Sequence, residues 1–256
     1  QAFYNVRVDP GEVYSFNEAT GPRGAKEGYK RAAVIKDGNR FEDEPGGGNC
    51  QSSTTLYGAV LRADLEIVER WPHSIPSTYT PIGTDASVNY PYADFKFRNN
   101  KDTPIFITRY ISGGKLHVEI YGKPSEEYDK IEIISYETSR SNVPEYKIVE
   151  DPNMYEGQEV IEIVSRPKIQ AVSYRVYYKD GKEENRVKET ASTYPAVKGV
   201  KRVGTKKRPE EPSVDESKDE NQKTPKPSDG EEPKQGNSNQ NDSKKNNSKK
   251  NDSGED

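Results

Sequence analysis

The chain changes character at Lys206, and that break decides how much of it can fold. From Lys206 to Asp256 there is no aromatic residue, and Val214 is the only aliphatic one. The same stretch carries 11 Lys/Arg and 13 Asp/Glu among Pro, Ser, Asn and Gly. Such a segment buries too little apolar surface to offset its chain entropy. We therefore expect a disordered polar tail over 206–256, its mixed charges acting as a solvated spacer. Folding is left to residues 1–205.

The chain has 256 residues, 30% hydrophobic and 32% charged, with a net charge of −4. That balance does not suit nucleic-acid binding. No apolar run approaches the roughly 18 residues needed to cross a membrane as a helix. The chain opens on Gln1 and its one Met is Met154, which reads as a mature form or fragment with a signal or anchor upstream. Its 17 Tyr, with few Leu, suit a β-rich surface protein. The one cysteine, Cys50, leaves no internal disulfide, and a lone thiol outside the cytoplasm invites oxidation unless it has a use.

The pattern predicts an α+β fold: a mixed domain over 1–123, an elongated all-β module over 124–205, then the tail. Leu56, Ala59, Val60 and Ala63 recur at helical spacing, giving one central helix from Gln51 to about Ala63 that starts at or just after Cys50. Residues 105–110 and 116–121 flank Ser112-Gly113-Gly114, a hairpin signature. Val88, Tyr90, Phe95 and Phe97 suggest further strands, and Asp37-Gly38 a turn. Beyond Pro124, residues 131–134, 160–164 and 172–178 read as strands, with no helix.

Gly46-Gly47-Gly48-Asn49-Cys50 is where chemistry concentrates. Glycines permit positive φ and close backbone approach, and a cysteine at a helix start meets free N–H groups that stabilise a thiolate or an oxyanion. Gly48, Asn49 and Gln51 are the candidate oxyanion and support positions. Thr54 and Tyr57, four and seven residues on, share the face of Cys50. The alternative is a cysteine that is only a small buried hydrophobe. A nucleophilic thiol needs a base. His117 alternates with Leu116 and Val118 and turns outward. His73 sits in Arg70-Trp71-Pro72-His73-Ser74-Ile75-Pro76, a stiff loop of the kind that places catalytic groups or simply bonds to backbone. Asp85 would orient the imidazole or, equally, close a turn. Arg23 or Arg70 could hold a substrate carboxylate or be a structural charge. Ligand spacing for a metal is lacking, and no cofactor motif is present.

Gly11-Glu12-Val13-Tyr14-Ser15-Phe16-Asn17, Gly21-Pro22-Arg23, Gly46-Gly47-Gly48-Asn49-Cys50-Gln51-Ser52-Ser53-Thr54-Thr55-Leu56-Tyr57, Glu69-Arg70 with His73-Ser74, and Gly83-Thr84-Asp85-Ala86 occur in that order. Together they resemble a VanW domain, over about residues 8–122. The β module is similar to a G-five domain through Tyr174-Arg175-Val176, Asp180-Gly181-Lys182, Ser192-Thr193-Tyr194-Pro195 and Val203-Gly204-Thr205. The first resemblance implies an extracytoplasmic protein of the Gram-positive cell wall. It also implies L,D-transpeptidase chemistry on peptidoglycan stem peptides, a donor tetrapeptide and an acceptor diamino acid, with Cys50 as nucleophile and His73 as its partner. The second implies contact with glycan strands. The alternatives are a non-catalytic wall-binding protein and an L,D-carboxypeptidase using the same cysteine.

Overall fold

Elements of the N-terminal half are short and wrap a single long helix. In the computed structural model, which describes residues 3–36 and 40–209, β1 (Val6–Val8) and β2 (Val13–Ser15) lead into the five-residue helix α1 (Phe16–Thr20). Ser15 caps it, its Oγ accepting the Glu18 N–H at 3.0 Å. β3 (Arg31–Lys36) and β4 (Arg40–Pro45) pair antiparallel and deliver the chain to α2 (Asn49–Arg62). The predicted Asp37-Gly38 turn and the tail from Glu210 lie outside the described residues.

After α2 come β5 (Glu66–Glu69), β6 (Lys96–Arg98), β7 (Ile105–Ser112) and β8 (Lys115–Tyr121). They build two three-stranded sheets, ordered β2-β6-β5 and β1-β7-β8. The apolar stripe of α2, Leu56, Tyr57, Val60 and Leu61, is buried against Phe16, Phe95, Phe97 and Ile107, with Leu116, Val118 and Ile120 of β8 packed on the rim. This is the i, i+3/i+4 pattern expected of a helix with one core face.

The β7–β8 hairpin forms where the sequence predicts it. His117 pairs with Tyr110 across it and stacks on that ring, centroids 4.7 Å apart. Two expectations need correction. Val88 and Tyr90 lie in no strand: Ser87 and Asn89 make only single bridges, to Trp71 and Ala93. And α2 is not the only helix: α1, five residues long, is too short to show periodicity in the sequence.

The second half is strand throughout: β9 (Lys130–Arg140), β10 (Lys147–Tyr155), β11 (Glu159–Ile163), β12 (Ile169–Lys179), β13 (Lys182–Tyr194) and β14 (Val200–Lys206). β12 runs between β9 and β13, all antiparallel. β14 pairs in parallel with β10 and antiparallel with β11. Alternate residues of β12, Ile169, Ala171, Ser173 and Arg175, are buried. Half of them are polar because this face meets the first half of the chain. There Arg175 donates to Leu65 O at 2.8 Å and pairs with Asp64 at 3.2 Å.

Candidate active site

The glycine run produces the turn that α2 requires. Gly46 and Gly48 have φ of 85° and 90°, where a side chain is strained. Gly47 has an ordinary φ but no room: a Cβ there would lie 2.3 Å from Ala32 O on β3. Asn49 ties the turn by donating Nδ2–H to Gly46 O at 2.6 Å. Cys50 is then the second residue of α2. It and Gln51 carry first-turn N–H groups that have no carbonyl one turn earlier to bind.

Cys50 packs partly buried at the edge of the core. Its Sγ lies 3.5 Å from both the N and the O of Val88 and 3.9 Å from Ser87 Oγ. Burial pushes the thiol pKa up, but the nearby His73 imidazole and the Val88 backbone bring it below the ordinary value. On His73, burial lowers the pKa. Bonds to Asp85 and Cys50 and their charges outweigh it and carry the imidazole up to about 9. The two shifts run in the direction of a thiolate–imidazolium pair.

Asp85 orients the ring. Its Oδ2 accepts the His73 backbone N–H and meets ring Nδ1, each at 2.6 Å. Nε2 is left to face the Tyr79 hydroxyl, 3.3 Å away, and the ring is near enough for its charge to couple to Cys50. Asp85 is 1% exposed. Burial would raise its pKa, yet the bonds from His73 and Tyr194 and the charge of Arg70 hold it at about 2. The Ser87 N–H bond to Trp71 O, 2.7 Å, staples the Asp85 segment beside the His73 loop.

The structure thus brings Cys50, His73 and Asp85 together at the start of α2, with Gly48, Asn49 and Gln51 forming the turn and first helical residues. Arg23 is close enough for its charge to couple to Cys50. Its guanidinium lies over Phe16 at 5.3 Å and bonds Thr20 at 3.2 Å and Asn17. Two assigned substrate contacts sit elsewhere. Arg70 is behind Asp85, paired with its Oδ1 at 3.0 Å and donating to its backbone O at 2.5 Å. Tyr57 is fully buried in the core beneath Arg70, with the guanidinium 5.8 Å from its ring centroid. Thr54 lines the cleft along α2 while its hydroxyl accepts the Ala86 N–H at 3.0 Å. Sharing a helix face with Cys50 places Tyr57 inward, because that end of the face is core.

A cleft of about 350 Å³ runs along α2 from Gln51 and Thr54 past Tyr79 to Arg62. Tyr79 therefore joins the cleft to His73. Sequence reasoning missed it, although it stands six residues beyond His73 in the same proline-rich loop. It also missed Tyr194 and Ser192, for which no local signal exists more than 100 residues away. Among the described residues there is no group of three or more His, Cys, Asp or Glu able to hold a metal. Nor is any described helix long and apolar enough to cross a membrane.

Residues 1–121 match the family model described as VanW like protein, and residues 134–206 match that of the G5 domain. Among curated proteins the chain is similar to the uncharacterized protein YoaR of Bacillus subtilis (strain 168). The identity is 41% over 121 residues, which cover 47% of this chain and 40% of that protein. The chain thus spans less than half of that relative's length. Among solved structures it is similar to the G5 domain of an IgA1 protease, at 21% identity over 30% of this chain and 95% of that one, TM-score 0.20. It is also similar to HP0197-G5, at 12% identity over 30% of this chain and 100% of that one, TM-score 0.17. A VanW domain followed by a G5 domain points to a cell-wall-associated protein.

Proposed function

We propose that this chain, a VanW domain joined to a G5 domain, is a cysteine-dependent L,D-transpeptidase acting on peptidoglycan stem peptides. The observation that carries the reading is the Asp85–His73 contact at 2.6 Å, which leaves Nε2 unclaimed by Asp85 on a ring whose charge couples to Cys50 at the start of α2. This is the nucleophile–base–orienting group arrangement of acyl-transfer enzymes.

The Cys50 thiolate attacks the carbonyl of the third residue of a donor tetrapeptide. The first-turn N–H groups of Cys50 and Gln51 receive the oxyanion, a contribution of about 3 kcal/mol for one such donor. The C–N bond to the terminal D-alanine breaks, and the imidazolium of His73 gives its proton to the departing amine. The neutral imidazole then takes a proton from the side-chain amine of an acceptor diamino acid as that nitrogen attacks the thioester. The new amide forms, the C–S bond breaks, and the thiolate–imidazolium pair is restored. Tyr79, whose pKa burial raises to about 12, keeps its proton and offers a hydroxyl donor where the cleft meets Nε2. Arg23 is the partly exposed cation beside Cys50 available to a stem carboxylate. The G5 domain would meet glycan strands.

The test is incubation of the purified chain with disaccharide-tetrapeptides, with products read by mass spectrometry. Cross-linked dimers, released D-alanine and an acyl adduct on Cys50 are expected, and all three should vanish in Cys50→Ala. Tripeptide without dimers would assign hydrolysis to the same acyl-enzyme. Undiminished turnover by Cys50→Ala would sink the mechanism.

A further inference from the structure

Asp85 is held from both halves of the chain. One oxygen serves His73, and the other accepts the Tyr194 O–H at 2.6 Å beside Arg70 at 3.0 Å. Tyr194 is the last residue of β13 and 1% exposed. Its hydroxyl also accepts the Gly83 N–H at 2.9 Å. Ser192 accepts from Arg70 Nη1 at 2.8 Å, and Thr190 donates to Gly83 O at 3.3 Å. Residues 190, 192 and 194 alternate along a strand and so share one face. All three end on the Gly83–Asp85 loop or on the arginine behind it. Gly83, at φ 81°, lets β12 close in as well: a Cβ there would sit 3.3 Å from that of Ala171.

We infer that Tyr194 is a positioning residue for the reaction centre, so that the G5 domain completes the active site of the VanW domain. This rests on the acyl-transfer reading above. A carboxylate can rotate about its Cβ–Cγ bond, and a ring hydrogen bond to one oxygen tolerates that rotation. Donors on both oxygens do not. With Tyr194 and Arg70 holding Oδ1, Oδ2 stays aligned with Nδ1 and Nε2 stays aimed at the thiol. Supporting groups of this kind commonly change activity by about 10–100-fold when lost.

The comparison is Tyr194→Phe with Tyr177→Phe in the full chain. Tyr177 makes a similar bond between the two domains, to Asp64 Oδ1 at 2.7 Å, but touches neither Asp85 nor His73. A purely structural contribution would move both variants alike. We expect Tyr194→Phe to lower kcat about tenfold with KM within about twofold, and to slow iodoacetamide alkylation of Cys50 at pH 7. Tyr177→Phe should leave both at wild-type values. Equal effects in the two variants, or wild-type kcat and alkylation in Tyr194→Phe, would overturn the inference. If the wild type shows no Cys50-dependent turnover, the acyl-transfer reading fails, and the alkylation rates still decide whether Tyr194 orients the pair. Should Tyr194→Phe not fold, Ser192→Ala loosens Arg70 from the same side, and an unchanged alkylation rate there overturns the proposal.

Discussion

Asp85 and His73 are joined twice, since the same carboxylate oxygen meets the backbone N–H and the ring nitrogen of the histidine, each at 2.6 Å. The backbone bond fixes where the loop passes, and the side-chain bond fixes how the ring is turned. A proton on Nδ1 is therefore the stable arrangement, and Nε2 is the nitrogen that Asp85 leaves unclaimed. The geometry ties the protonation chemistry of the site to one buried carboxylate.

Replacing that carboxylate with its isosteric amide separates charge from shape. Asp85→Asn should cut turnover by roughly 10⁴-fold, the scale seen when a triad aspartate becomes asparagine and the histidine tautomer is lost. It should also destabilise the fold, because the Arg70 side chain, 5% exposed, loses its ion partner. Breaking a buried pair costs about 3–5 kcal/mol. Product formation and the urea midpoint report the two effects, and a wild-type rate would remove Asp85 from the mechanism.

The pH dependence of Cys50 follows from two opposite shifts. His73 is raised to about 9 from 6.5, so its stabilising contribution is complete below about 6.5 and disappears as pH climbs through about 9. Cys50 is lowered from 9.0, so its contribution is present above the unfolded value and lost as pH falls through the folded one. A thiol with a pKa of 9.0 would be about 0.1% ionised at pH 6. Alkylation of Cys50 at pH 6 should exceed that expectation clearly, and His73→Ala should move the midpoint of the alkylation profile upward. A wild-type profile matching a free thiol would remove the ion pair.

Gly47 offers a steric prediction free of charge effects. A methyl group there would stand 2.3 Å from Ala32 O and 2.6 Å from the Ala32 side chain, a backbone clash that no rotamer relieves. Gly47→Ala should destabilise by about 2–3 kcal/mol, the upper range for overpacking. It should also slow turnover by displacing the first turn of α2. A denaturation midpoint equal to wild type would show that β3 yields instead.

Local signals carried much of this into the sequence. The spacing of Leu56, Val60 and Ala63 announces α2, two glycines between alternating strands announce the β7–β8 hairpin, and three glycines before a cysteine announce the turn that starts α2. What failed were inferences needing a third dimension. Arg70 reads as a substrate contact because it stands beside His73, but its guanidinium turns inward to Asp85. Tyr57 does lie on the Cys50 face, yet its end of that face is core, which helical spacing alone does not reveal. Tyr194 reaches Asp85 across 109 residues, and no local pattern encodes such a bond. Nor does the sequence show that Arg175, set between Tyr174 and Val176, is buried against Asp64.

That arginine supplies the sharpest test of how the two halves are joined. Arg175 pairs with Glu189 at 2.6 Å and with Asp64 at 3.2 Å, and the Glu189 side chain is only 10% exposed. Asp64 also keeps Lys101 at 2.9 Å and the Tyr128 and Tyr177 hydroxyls, so Arg175→Met leaves it paired. Glu189 would be the stranded group, and removing one partner of a buried pair costs about 3 kcal/mol or more. Replacing both charges with apolar side chains of similar volume is often near neutral. Arg175→Met with Glu189→Leu should therefore recover at least about 2 kcal/mol relative to Arg175→Met alone, measured by urea denaturation. Additive losses in the double variant would mean that the arginine acts through Asp64 and Leu65, and that Glu189 is already solvated in the native protein.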